Sequence, residues 1–278
     1  MAAAFLTSVG GAANRPARAG RWKAPLARLL WAVGAERWWR AAFNARHPGA
    51  FRILSAHRAL DERGPLTERD RADLARGCLT LAQFRERVAY LAAHYRLWRL
   101  GACVQRLRAG LPLPANTLAL TFDDGCADVG RHVWPLLAER RLPFTVFLTT
   151  GRLGQPGMLT EAEVRELARA GAEAIEWGAH GVTHRPLTDL PPDEARRELA
   201  ESRARVEELA GRPVELFSYP DGRFNAPLQR LAAACGYAAA CATGRRVNSG
   251  RIDLYALWRI PCEAEPLARF AWRVAGRV

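Results

Sequence analysis

The run Leu118–Phe122 is apolar and β-prone throughout, and it stops at two adjacent carboxylates, Asp123 and Asp124, with Gly125 behind them. An unbroken apolar run suits a strand buried on both faces, and a glycine lets the backbone turn sharply where it ends. Such a strand delivers charge to the end of a sheet. Two neighbouring carboxylates rarely share one task, because like charges drive their proton affinities apart. A metal ligand beside a general base is one division of labour. Taken alone, the stretch can equally be a strand end capped by an Asp-Asp turn.

A second stretch, EWGAHGVTH over 176–184, shifts that balance. His180 and His184 stand four residues apart, which sets two imidazoles on one helical face or in one tight loop. One Asp with two His is a common three-ligand set for a catalytic divalent ion, leaving a position for water. A lone H-x-x-x-H is a weak signal, since many such pairs are solvated helix faces. Here both motifs follow β-prone runs, 118–122 and 174–177. In α/β barrels the chemistry gathers at those carboxyl ends of strands.

The intervening text alternates strand and helix. Helices are predicted over 79–94, 101–109, 129–141 and 193–210, with strands at 96–100 and 144–149. A further helix over 160–170 opens on a capping box, Thr160 with Glu163. This rhythm implies parallel strands joined by crossover helices.

TFDDG (121–125), HGVTH (180–184) and FSYPDG (217–222) resemble, in order and spacing, the signature motifs of the polysaccharide deacetylases, carbohydrate esterase family 4, also called the NodB-homology domain. LPFTVFLTTG (142–151) resembles that family's second core strand, and FNAPLQRLAAACGYAAACAT (224–243) a later helix and strand. The similarity runs from about Phe51 to Pro261. It implies an α/β fold, a distorted, incomplete (β/α)7 barrel over residues 51–278, with residues 1–50 as a basic N-terminal extension. It also implies an enzyme, a metal-dependent hydrolase that removes the N-acetyl group of an amino sugar in a polysaccharide or lipid-linked glycan. By the same resemblance Asp124, His180 and His184 hold one divalent ion, and Asp123 is the general base. Zinc is foremost, with cobalt, nickel or iron as alternatives for mixed N/O ligands. The loop with Tyr219 and Pro220 walls the substrate groove, and the backbone N–H of Asp221 helps hold the oxyanion.

Three departures from the family pattern bear on mechanism. The last histidine of the chain is His184, so no later histidine can serve as general acid. FRILSAHR (51–58) resembles the Y-H-R segment that opens a circularly permuted subgroup, with Ala56 in place of the usual tyrosine. That makes His57 the candidate acid. Asp221 stands where a tyrosine is usual, and Ser218 where other members carry an arginine that holds the base. Arg259, in LWRIP (257–261), resembles a late arginine of the subgroup and is the candidate replacement. Cys126 stands where an aromatic is common. Two other readings stay open: a deformylase or other amidohydrolase of non-peptide C–N bonds on the same scaffold, and a non-catalytic glycan-binding relative.

Lysine and arginine exceed the acids by 13, and the excess is uneven. Residues 1–58 hold ten bases and a single acid, Glu36, so they supply nine of those thirteen charges. Residues 21–43 place Leu26, Leu29, Leu30, Val33, Trp38 and Phe43 on one helical face among arginines. A basic amphipathic helix with tryptophans suits a membrane surface, and packing against the barrel is the alternative. No nucleic-acid module accompanies the basic segment, which makes nucleic acid an unfavoured partner. The Ala/Gly-rich first residues lack the charged start and long apolar core of a secretory signal, and no run of about 18 apolar residues occurs. Six cysteines without paired spacing read as buried small apolar residues of a reducing compartment. The expected location is the cytoplasm, with peripheral attachment to the inner face of the membrane.

Overall fold

Seven parallel strands close a barrel in this computed structural model, which describes residues 29–277. They are β1 (Arg52–Ala56), β2 (Thr117–Phe122), β3 (Phe144–Leu148), β4 (Ile175–Ala179), β5 (Leu216–Ser218), β6 (Ala239–Thr243) and β7 (Leu257–Pro261). Neighbours in sequence are neighbours in space, and β1 closes the ring by pairing with β7 on one side and β2 on the other. Every residue of β1, β2 and β3 is buried, which is why each reads as a continuous run and not as an alternation. The seam between β4 and β5 is thin, a single register pair Ala179↔Phe217. That is the distortion the family resemblance implies.

Helices α1 (Ala35–Arg46), α2 (Glu68–Ala75), α3 (Leu81–His94), α4 (Leu100–Arg108), α5 (Trp134–Glu139), α6 (Glu161–Ala170), α7 (Pro192–Ala210), α8 (Ala226–Ala234) and α9 (Leu267–Val274) surround the barrel. The capping box of α6 forms as the sequence predicts, Thr160 with Glu163, and α3 opens on another, Thr80 with Gln83. The strand expected at 96–100 shrinks to Arg96–Leu97 against the start of β2, because Leu100 already begins α4. That short helix plugs the amino-terminal end of the barrel. Its Leu100, Cys103 and Val104 pack against Ile53, Ala119, Phe147 and Leu216. Its first turn has no side-chain cap of its own. The buried carboxylate of Glu176 on β4 accepts the Gly101 N–H at 3.0 Å and the Thr145 hydroxyl at 2.8 Å.

The basic segment is not one continuous helix. Gly34, at φ 74, breaks it between a turn at 29–32 and α1. Residues 21–28 and Leu26 lie outside the described residues. The face of α1 that meets the barrel is polar: Glu36 and Arg40 are buried there, 3.5 Å apart. Arg52, at the start of β1, donates to Asn44 on α1 at 2.8 Å and to the Val274 carbonyl at 3.0 Å. Helix α1 therefore sits at the floor, where the strands begin, and leaves Trp38 80% exposed.

At the opposite end, Arg58 fixes the chain as it leaves β1. Its guanidinium, 9% exposed, meets Asp70 and Asp73 at 2.7 Å and Asp128 at 2.6 Å. The loop after β1 is thereby tied both to α2 and to the segment after β2. Arg58→Ala takes the shared cation from three crowded carboxylates, of which Asp73 keeps Arg76 as a partner, and should lower unfolding free energy by about 3 kcal/mol, read by urea denaturation.

Candidate active site

All nine residues singled out from the sequence belong to loops or strand ends at the carboxyl end of the barrel, or to the strands that lead there. Side chains alternate inward and outward along each strand, so the inward set of β2 is Ala119, Thr121 and then Asp123 beyond its end. The interior thus changes from apolar at the floor to polar at the mouth.

Asp123 and Arg259 form the buried centre, at 3% and 1% exposure. The pair is bidentate: Arg259 Nη1 donates to Asp123 Oδ1 and Nη2 to Oδ2, both at 2.7 Å. Nη2 also donates to Ser218 Oγ at 2.8 Å and Nη1 to Thr121 Oγ1 at 3.2 Å. Burial pushes the Asp123 carboxyl up, but the Arg259 guanidinium and the nearby His180 and His57 outweigh it and hold the carboxyl below its ordinary range. Ser218, which replaces a base-holding arginine in the family pattern, leaves room for the arginine that arrives from β7.

Asp124, His180 and His184 converge beside this pair, with one ligand atom of each within 4.8 Å of the others. Asp124 Oδ1 lies 3.2 Å from His184 Nε2 and 3.8 Å from His180 Nε2, and it is buried without a well-formed hydrogen bond. His180 Nδ1 is 2.7 Å from the Ser218 carbonyl, so it carries the proton and Nε2 offers its lone pair to the cluster. Burial lowers the His180 proton affinity, which keeps the ring neutral, whereas the Asp124 carboxylate raises that of His184. An anionic oxygen with two imidazoles aimed at one point fits a divalent cation.

The backbone at these positions is unusual. Asp124, His184 and Asp221 all adopt left-handed conformations, at φ 69, 65 and 56. Such torsions in non-glycine residues persist only where the surroundings enforce them. For His184 the enforcing group is Glu198 of α7, whose carboxylate accepts the N–H groups of Val182 and Thr183 at 2.6 and 3.0 Å and the Thr183 hydroxyl at 2.7 Å. Sequence reasoning missed Glu198; its signal, an acid on a buried helical position (8% exposed), is silent without the fold. It also missed Arg152, whose Nη1 comes to 3.8 Å from Asp124 Oδ1.

His57 follows β1 directly and is exposed at the mouth, close enough for its charge to act on both Asp123 and Asp124. Asp221 is exposed as well, and its charge reaches His184. Tyr219 and Pro220, expected to touch substrate, meet a different geometry. Both are buried, and the Tyr219 hydroxyl donates to the Tyr255 carbonyl at 3.2 Å while its ring stacks on Phe224. Their side chains wedge the loop from behind. Cys126 is also buried beneath the loop, where burial pushes its thiol up to about 12.

A model of the polysaccharide deacetylase family matches residues 111–240, the span that holds β2 through β5 and the first two residues of β6. That match takes in 130 of the chain's 278 residues. The similar proteins include "Putative polysaccharide deacetylase YxkH" of Bacillus subtilis, 29% identical over 141 residues, 51% of this chain and 50% of that one. An uncharacterized protein of Streptomyces coelicolor, SCO4760, is 31% identical over 141 residues, 51% of this chain and 52% of its own. The chain thus spans about half the length of the curated relatives it matches. Among solved structures, the deacetylase PplD of Streptococcus pyogenes, in complex with acetate, superposes with a TM-score of 0.69 at 21% identity, over 78% of this chain and 93% of the other. IcaB of Ammonifex degensii superposes with 0.65 at 22%, over 80% and 97%. These likenesses establish the deacetylase barrel. β1 and His57 lie outside the span that the family model matches.

Two outcomes follow for the candidate site. Glu198→Gln puts an amide where two N–H groups need acceptors, so zinc affinity should fall about 10–100-fold by calorimetry with the circular dichroism unchanged, whereas His180→Ala abolishes binding. The stability contributed by Asp123 is fully present above the ordinary carboxylate value of about 3.9 and is lost as pH falls through its depressed value. Metal-free Asp123→Asn should therefore start less stable and lose less on acidification through that window, read by urea denaturation against pH.

Proposed function

We propose that the protein hydrolyses the N-acetyl group of an amino sugar within a glycan, releasing acetate and a free amine. The observation that carries this reading is the placement of a three-ligand cluster, Asp124, His180 and His184, directly beside the buried Asp123–Arg259 pair. A divalent ion held by those three residues, zinc before cobalt, nickel or iron, would supply Lewis-acid polarisation of the acyl oxygen and a more acidic water.

Asp123 takes the proton of the attacking water as its oxygen bonds to the acyl carbon. Arg259 keeps that carboxylate ionised and fixed in plane, so one orientation faces the reacting atoms. The backbone N–H of Asp221 donates to the oxyanion as it develops. His57 then gives its proton to the departing nitrogen, the C–N bond breaks, and the carboxylate's proton returns through solvent. Delivery of the acid by β1, from the amino-terminal side of the chain, is the arrangement of the permuted subgroup. It accounts for the absence of any histidine after His184.

The glycan is read as a polymer or a lipid-linked sugar, and a formyl group is the acyl alternative. Acetate and formate release from N-acetylglucosamine oligomers and an N-formyl analogue distinguish them. In zinc-loaded protein, Asp123→Asn and His57→Ala should bind the ion normally and lose about 10²–10⁴-fold in kcat. Retained turnover in His57→Ala removes it from the acid role. Zinc binding without release of either acid removes the hydrolase reading.

A further inference from the structure

Large apolar side chains are rarely left exposed in a cluster, and this protein clusters them at one end. The exposed ones among the described residues are Leu29 (63%), Val33 (68%), Trp38 (80%), Trp39 (37%) and Leu111 (48%). Four of them fall within residues 29–39, on the turn before α1 and on α1 itself. The fifth precedes β2, so it too lies at the floor. The opposite side of α1 is already committed, through Glu36, Arg40 and Asn44, to the barrel. The exposed side is therefore neither the helix's own packing face nor part of the mouth.

The charges on the patch itself have one sign: Arg37 and Arg46 of α1 are exposed, and the only acid between 29 and 46 is the buried Glu36. The exposed acids at this end, Glu173, Glu215 and Asp253, precede β4, β5 and β7. The sequence that precedes the patch adds Arg15, Arg18, Arg21, Lys23 and Arg28 and no acid at all. Exposed tryptophan and aliphatic side chains ringed by arginine match the boundary between lipid headgroups and acyl chains when the headgroups are anionic. A protein surface offers no comparable sheet of negative charge around an apolar layer.

We propose that the turn at 29–33 and α1 dock the barrel floor onto an anionic lipid bilayer, with Leu29, Val33 and Trp38 inserted and arginines on the phosphates. The strands run from floor to mouth, so docking there turns His57, Asp123 and the His180–His184 cluster away from the bilayer. The catalytic end then meets glycan that extends outward, and not a sugar held against the headgroups. This selects, within the deacetylase reading, a polymeric glycan over a short lipid-linked one. The docking itself does not depend on that reading.

The test is sedimentation of the full chain with vesicles of phosphatidylcholine, alone or mixed with phosphatidylglycerol. The chain should pellet with the anionic vesicles only, and release at about 1 M salt, where the screening length is about 3 Å. Each inserted apolar side chain is worth roughly tenfold in partitioning, so Leu29→Ser/Val33→Ser/Trp38→Ser should lose binding at least about a hundredfold. Its zinc affinity and circular dichroism should not change, since these side chains are mostly exposed and far from the mouth. Arg37→Glu should weaken binding, while Arg223→Glu, at the mouth, should not. Wild type that stays in the supernatant with anionic vesicles, or a triple variant that pellets equally, overturns the proposal. So does a wild-type dimer that the triple variant abolishes without any lipid binding, or retention on nucleic acid alone. Equal losses for Arg37→Glu and Arg223→Glu overturn the orientation. Acetate release plays no part in these readouts, so the docking and the deacetylase reading fail separately.

Discussion

The Arg259–Asp123 pair is the interaction on which the rest of the site depends. Neither charge could be buried at the centre of a barrel alone; an unpaired buried ion costs several kcal/mol, and a bidentate pair with further hydrogen bonds offsets this. Each partner comes from a different strand end, Asp123 from β2 and Arg259 from β7, on either side of β1. The pair therefore spans the strand that closes the barrel. Ser218 extends the same network to β5, where its carbonyl also fixes the tautomer of His180. Asp123, its counter-charge and the orientation of His180 are thus parts of one hydrogen-bonded unit. A change at any member reaches the others.

Much of this was legible in the sequence, for a physical reason. A barrel strand buried on both faces must be a continuous apolar run, so a carboxylate that interrupts the pattern marks the strand's end and the site together. This is why Asp123, Asp124, His180 and His184 could be found from spacing and pattern. Arg259 was only one arginine among many, with no local signal of burial. Its choice rested on family likeness, and the bidentate geometry supplies what the text could not. Glu198 and Arg152 had no signal, because both act across the fold on residues far from them in the chain. The burial of Tyr219 and Pro220 has the opposite origin. Motif residues were taken to face the substrate, whereas a loop held at a left-handed Asp221 needs an apolar wedge behind it, and these two provide it.

The basic segment shows where helical periodicity misleads. The pattern placed Leu29, Val33, Trp38 and Phe43 on one face, which suited either membrane or barrel. The fold separates them: Phe43 turns inward beneath the Arg52 guanidinium, 5.1 Å from ring to cation, while Trp38 stays out. Gly34 permits this by breaking the helix, and the buried face is then claimed by Glu36 and Arg40. Burial raises the Glu36 carboxyl, with the nearby Arg40 guanidinium opposing it. Two buried charges inside and an exposed tryptophan outside depart from the pattern of an ordinary surface helix. The departure is what directs attention to the floor.

Floor and mouth differ in kind, and the difference follows from strand polarity. Parallel strands present all their carboxyl ends on one side, where loops can project acids and imidazoles without disturbing the packed interior. The amino ends carry no such duty, so α4 can seal them with Leu100, Cys103 and Val104. A sealed end is free to bear an attachment surface, because nothing bound there can block the open one. Placing α1 beside the mouth would put its arginines within reach of Asp123 and Asp124, where added positive charge would compete for the carboxylates that face Arg259, His180 and His184. Keeping the arginines of α1 at the floor spares the site that competition.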